Sequence, residues 1–144
     1  MLNRDIYNFG FVLANSNSKK HIGNVTVSKW GEPSLSPNIL KLLKDDEIAS
    51  LCRNAIKAFS ILKGLPDNSP AFFFRCQKEE KENRYNIFKC TLQGDFLFGF
   101  INDKGRLVID GNYPEYLRKF CVAELSTMAN VPEFTYKNVV YNKK

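Results

Sequence analysis

His21 is the one histidine of the chain, and Lys19 and Lys20 stand directly before it. An imidazole beside two ammonium groups could take a proton from a ribose 2′-hydroxyl while the cations stabilise a phosphorane. His21, Lys19 and Lys20 are therefore the candidate catalytic set, and RNA cleavage is the chemistry they would perform. No second acid or base stands at a recognisable spacing from them, and an ordinary surface histidine in a basic turn is the preferred reading.

The carboxylates offer less. Asp103 and Asp110 flank a short predicted strand, and Asp45, Asp46 and Glu47 stand together where a helix is predicted to start. Mg²⁺ needs few protein carboxylates, so either group could hold one. Turn chemistry and the positive end of a helix account for both without a metal, and no metal or other cofactor is expected. Cys52, Cys76, Cys90 and Cys121 include no C-x-x-C pair, which with a single His argues against zinc. Each lies in an apolar neighbourhood and reads as a small buried hydrophobe in a reducing compartment. Ser and Thr occur in no G-x-S-x-G context, so acyl-transfer hydrolysis is not expected.

The chain has 144 residues and a net charge of +6. The excess is thin and mostly terminal. Residues 1–30 carry four Lys and Arg against one acid, residues 31–70 five against five, residues 71–110 seven against six, and residues 111–144 five against three. A dedicated nucleic-acid domain concentrates its cations on one face, because each neutralised phosphate releases counterions locally. The amino-terminal residues include Asp5 and two Asn where an export signal needs an apolar run. No stretch approaches the roughly 18 apolar residues that cross a bilayer. A small soluble, unexported, cytoplasmic protein with no membrane association is expected.

The elements that position these residues follow from apolar spacing. Residues 6 to 14 alternate, placing Tyr7, Phe9, Phe11 and Leu13 on one face of a strand, and His21 to Trp30 predicts its hairpin partner. Gly31 and Pro33 break the pattern. Ser36-Pro37 then opens a helical region with a joint near Lys44, and Ile48, Leu51, Cys52, Ala55, Phe59 and Leu62 line one side of its main helix. Gly64 and Pro66 end it.

Four strands are predicted next, over 71–76, 84–92, 95–101 and 106–110, joined by a charged loop at 77–83 and two short glycine turns. Phe72, Phe73, Phe74, Tyr85, Phe88, Phe96, Phe98 and Phe100 crowd this tract, and a sheet this aromatic must have a covered face. Phe96, Phe98 and Phe100 share one side of a regular strand and are expected in the core; exposed, they would instead stack on unpaired bases. Leu117, Cys121, Leu125 and Met128 predict a helix of about fourteen residues, Pro132 stops it, and residues 134 to 141 predict a closing strand.

The order is β-β-α-β-β-β-β-α-β. That implies an α+β fold, an antiparallel sheet of about five to seven strands with two main helices packed on one face. A single domain over 1–144 is expected, with a flexible tail at 141–144.

Nothing in this pattern is prepared for catalysis, so the expected function is non-enzymatic binding of a macromolecular partner, a protein first. An inhibitor, an immunity-type protein or a phage- or plasmid-encoded accessory factor would fit. The binding candidates are Trp30, an anchor beside Gly31, with Tyr113 and Tyr116, and with Lys41 and Lys44 before the main helix. The alternative is a basic RNA- or DNA-binding protein, a nuclease if His21 acts. The sequence leaves the partner and the oligomeric state open.

Overall fold

The computed structural model describes residues 6–12, 21–66, 69–132 and 140–142. The first sheet has the order β1-β2-β3, built from β1 (Ile6–Val12), β2 (His21–Ser28) and β3 (Pro33–Leu35), all antiparallel. Register aligns Phe9 with Val25 and Leu35, and Tyr7 with Val27 and Pro33, so two cross-strand rows of apolar side chains share one face. That face meets a helix.

A short helix α1 (Pro37–Leu40) leads into α2 (Asp45–Leu62), whose apolar stripe from Ile48 to Phe59 is buried. The start of α2 is fixed by the Lys44 N–H donating to Glu47 Oε1 at 2.9 Å, with Asp45, Asp46 and Glu47 all at the positive end of the helix. Gly64, at φ +72°, turns the chain after the last helical residues, as a left-handed cap requires. The Phe59 and Tyr7 rings meet edge to face with centroids 5.0 Å apart, which joins α2 to the first sheet.

The second sheet has the order β4-β5-β6-β7-β8, from β4 (Phe73–Glu79), β5 (Arg84–Thr91), β6 (Gly94–Ile101), β7 (Leu107–Asp110) and β8 (Val140–Asn142). It is antiparallel as far as β7, and β8 adds in parallel. Helix α3 (Glu115–Leu125) packs on α2 and carries Phe120 into the rings of Phe72 and Phe74. The two helices thereby link both sheets into a single hydrophobic cluster.

The class is α+β, and the expected alternation of strands and helices holds. The strands sort into two sheets rather than one, and β3 adds a short strand where Gly31 and Pro33 read as a break. Proline is tolerated there because β3 is an edge strand. β4 extends to Glu79 through the first three residues of the expected charged loop, and α3 stops at Leu125, eleven residues long. Tyr141 and Asn142, the first half of the expected tail, instead pair with Ile109 and Asp110. Residues 143–144 and most of the expected closing strand lie outside the described residues.

The phenyl rings divide. Phe72, Phe74 and Phe98 are buried, whereas Phe73 and Phe96 are exposed and Phe88 and Phe100 half-buried. Ordinary alternation divides those before β6, and on β6 a bulge intervenes. Ile87 pairs with Gly99 but Phe88 with Leu97, so Phe98 is an extra residue in β6 and the side-chain alternation changes phase there. Phe98 enters the core against Phe74, at 5.1 Å, while Phe100 passes to the opposite face. No helix among the described residues is long and apolar enough to cross a membrane.

Candidate functional site

Trp30 follows β2 in a turn held at several points. Ser28 Oγ accepts from the N–H groups of Trp30, at 3.2 Å, and Glu32, at 3.3 Å, while Gly31 N–H donates to the Ser28 carbonyl at 2.9 Å. Gly31 has φ +93°, and a Cβ there would come within 2.8 Å of the Ala71 side chain, so only glycine lets the turn lie so close to Ala71. The backbone is fixed, yet the indole is 40% exposed, with the Lys29 ammonium 5.2 Å from its centroid.

Beside it lies the turn between β5 and β6. Leu92 N–H donates to the Trp30 carbonyl at 2.9 Å, and the Leu92 side chain is 45% exposed. Phe96 and Leu97 are exposed at the start of β6. Lys89 knits this end together: its ammonium pairs with the Glu32 carboxylate and sits 5.2 Å from the Phe96 centroid and 5.0 Å from that of Tyr113. Tyr113 stacks on Phe98 at 4.3 Å and donates its hydroxyl to the Leu97 carbonyl at 3.3 Å. Burial raises the Tyr113 pKa, with the carboxylates of Asp110 and Glu32 adding to it.

The predicted binding residues therefore separate. Trp30 and Tyr113 share this end, Trp30 through its bond to Leu92 and Tyr113 through Lys89 of the same sheet. Tyr116 is half-buried and donates to Ser34 Oγ at 3.3 Å, and its pKa is raised chiefly by burial. Lys41 and Lys44 lie at the joint between α1 and α2. Ile39 of α1 packs against Gly23, and Trp30 follows the other end of that strand, so these lysines and Trp30 are not brought together.

Leu92, Leu97 and Lys89 were not among the residues expected from the sequence, and Phe96 was expected in the core, or stacking on bases if exposed. One signal was present: Leu92 is a large apolar side chain in the tight Thr91-Leu92-Gln93-Gly94 turn, where no strand face can bury it.

The candidate catalytic set is described only in part. His21 begins β2, its backbone opposite Val12, and Lys19 and Lys20 lie outside the described residues. Asp110 Oδ1 accepts from the Asn112 backbone and side chain, at 2.9 and 3.0 Å, as a turn residue does, and Asp45 pairs with Lys119 at 2.9 Å. Among the described residues, no three His, Cys, Asp or Glu side chains converge on a point where a metal could sit. The four cysteines are free and buried. Burial pushes the Cys52 thiol up to about 12 and that of Cys121 well above its ordinary value, with Glu124 adding to both, so neither is an activated nucleophile.

The second sheet also has an outer face, turned away from Phe74, Ile87 and α3. Register groups Arg75 with Phe88 and Leu97, and Gln77 with Asn86 and Phe100. The Arg75 guanidinium lies 4.6 Å from the Phe88 centroid and that of Arg84 4.5 Å from Phe100. Arg75 is held by Asp95 at 3.1 Å, whereas Arg84 makes no ion pair among the described residues.

No family model, curated protein or solved structure matches this chain.

Proposed function

We propose that this chain is a non-enzymatic binding protein that docks on a protein partner through the end built by Trp30, Leu92 and Phe96. An inhibitor, an immunity-type protein or a phage- or plasmid-encoded accessory factor would act in this way. One observation carries the reading: the Trp30 turn is fixed by Ser28, Gly31 and Leu92 while Trp30 itself remains 40% exposed. An aromatic anchor held rigid before binding loses little conformational entropy on docking, and tryptophan is enriched among the residues that dominate interfaces. The Glu32–Lys89 pair and Lys29 supply the polar rim such an anchor needs. A cytoplasmic setting goes with the proposal, supported by four thiols that are all unpaired.

A nucleic-acid ligand is the second reading. It is favoured by the outer face of the second sheet, where two guanidinium groups lie over phenyl rings in a chain of net charge +6. Unpaired bases stack on surfaces of that composition.

Recovery from native lysate separates the two. Wild-type chain and a Trp30→Ala variant are used as bait at low and high salt, and both protein and nucleic acid are identified. The first reading expects one stoichiometric protein, retained at high salt and lost with Trp30→Ala. Recovery of RNA or DNA that falls away with salt and survives Trp30→Ala would replace it with the second.

A further inference from the structure

A cleft of about 600 Å³ opens between α2, the connection after it and the end of α3, remote in sequence from the Trp30 turn. Its volume lies within the range of small-molecule sites. The floor is made by Ile56, Phe72, Phe74 and Phe120, all buried in the core. Ser60 is the polar side chain among the floor residues, and its hydroxyl is engaged in both directions, donating to the Ile56 carbonyl at 2.8 Å and accepting from Ala71 N–H at 3.0 Å. Its one hydroxyl hydrogen is thus spent, and the four apolar side chains around it favour an apolar group on the floor of the cleft.

The mouth differs. Arg53 and Lys57 stand one helical turn apart on α2, both exposed and both on the cleft. Glu124 of α3 already holds Arg53, at 2.8 Å from the Arg53 terminal nitrogen and 2.9 Å from Nε. Lys57 has no ion pair, hydrogen bond or ring contact among the described residues. One ammonium is thus free at the lip of an apolar slot. Ile61, 64% exposed on the next turn, extends the apolar wall outward from it.

We propose that the α2–α3 cleft binds a small amphipathic carboxylate, its alkyl or aryl tail on Phe72, Phe74 and Phe120 and its carboxylate on Lys57. Charge complementarity selects the head group: with Arg53 and Glu124 paired, Lys57 is the charge left over at the mouth, which favours an anionic head and opposes a cationic one. The apolar floor selects the tail. The cleft and the docking end share no lining residue, and filling the cleft requires no protein partner.

Decanoate, titrated below its micelle concentration into the full chain at neutral pH and followed by amide chemical shifts, is the test. One-to-one binding is expected, with shifts clustered on α2 and α3 around Ile56 and Phe120. Lys57→Gln should weaken decanoate by about fivefold, the scale of an exposed ion pair, while decanol binds both proteins alike. Lys57→Arg should restore affinity. Ile61→Glu, a change at an exposed rim position that leaves the fold intact, should weaken decanoate at least as much as Lys57→Gln. Absence of binding, shifts clustered elsewhere, or decanoate affinity unchanged in either Lys57→Gln or Ile61→Glu would overturn the proposal.

Discussion

The backbone N–H of Leu92 donates to the carbonyl oxygen of Trp30 at 2.9 Å, and this bond ties a turn of the first sheet to a turn of the second. Both side chains are left exposed at the point where the two sheets meet. Such a junction is rigid because two sheets must move for it to move.

Trp30→Ala is therefore expected to separate binding from stability. Affinity for the captured protein should fall by at least about 2 kcal/mol, the scale of an interface hot spot. The melting temperature should shift little, because the backbone bonds of the turn do not involve the indole. Isothermal titration and calorimetric unfolding on the same preparations check both halves.

Phe98 and Phe96 are two residues apart on β6 and should respond in opposite ways. Phe98 is fully buried between Phe74 and Tyr113, so Phe98→Ala should cost about 3 to 5 kcal/mol in urea unfolding. Phe96→Ala removes an exposed ring, and its cost should stay within about 1 kcal/mol. Equal losses at the two positions would contradict the burial of Phe98 and the exposure of Phe96.

Gly99 admits no side chain. A Cβ there would lie 2.3 Å from the Val108 carbonyl oxygen across the β6–β7 pair, and the obstacle is backbone, which cannot swing aside. Gly99→Ala should destabilise by about 1 to 3 kcal/mol in the same assay, with amide shifts along β7.

The buried thiols set an alkaline limit. Cys52 has its pKa raised by burial from 9.0 to about 12, and Cys121 is raised well above 9.0 by the same cause. The folded chain thus holds protons that the unfolded chain releases first. Stability is complete below about pH 9 and declines as pH rises toward 12, at up to about 1.4 kcal/mol per pH unit for each thiol. Urea midpoints between pH 8 and 10.5 should fall accordingly, and Cys52→Ala should flatten the decline. A flat profile in the wild type would contradict the assignment.

Much of the fold was legible because its elements carry their own periodicity. The α2 stripe from Ile48 to Phe59 and the alternation of Tyr7 and Phe9 are local patterns that burial requires. The partition into two sheets was not legible, since it is defined by which strands pair and by helices that contact distant segments, and neither is written in local periodicity. The phase change at Phe98 was hidden for a related reason: an extra residue in one strand is defined only against its partner, and no residue type announces it. In the site, Trp30 could be singled out by its type and its glycine neighbour. Lys89 could not, because its role comes from Glu32, Phe96 and Tyr113, brought to it from three separate parts of the chain.

Trp30 is the chain's one tryptophan, so its emission reports on the docking end without a label. Titrating the captured protein partner into the full chain, using partner emission alone as the baseline, should shift the Trp30 maximum to the blue and protect it from acrylamide quenching, saturating at one partner per chain. Saturable binding that leaves the Trp30 maximum and its quenching unchanged would contradict the claim that this end makes the contact.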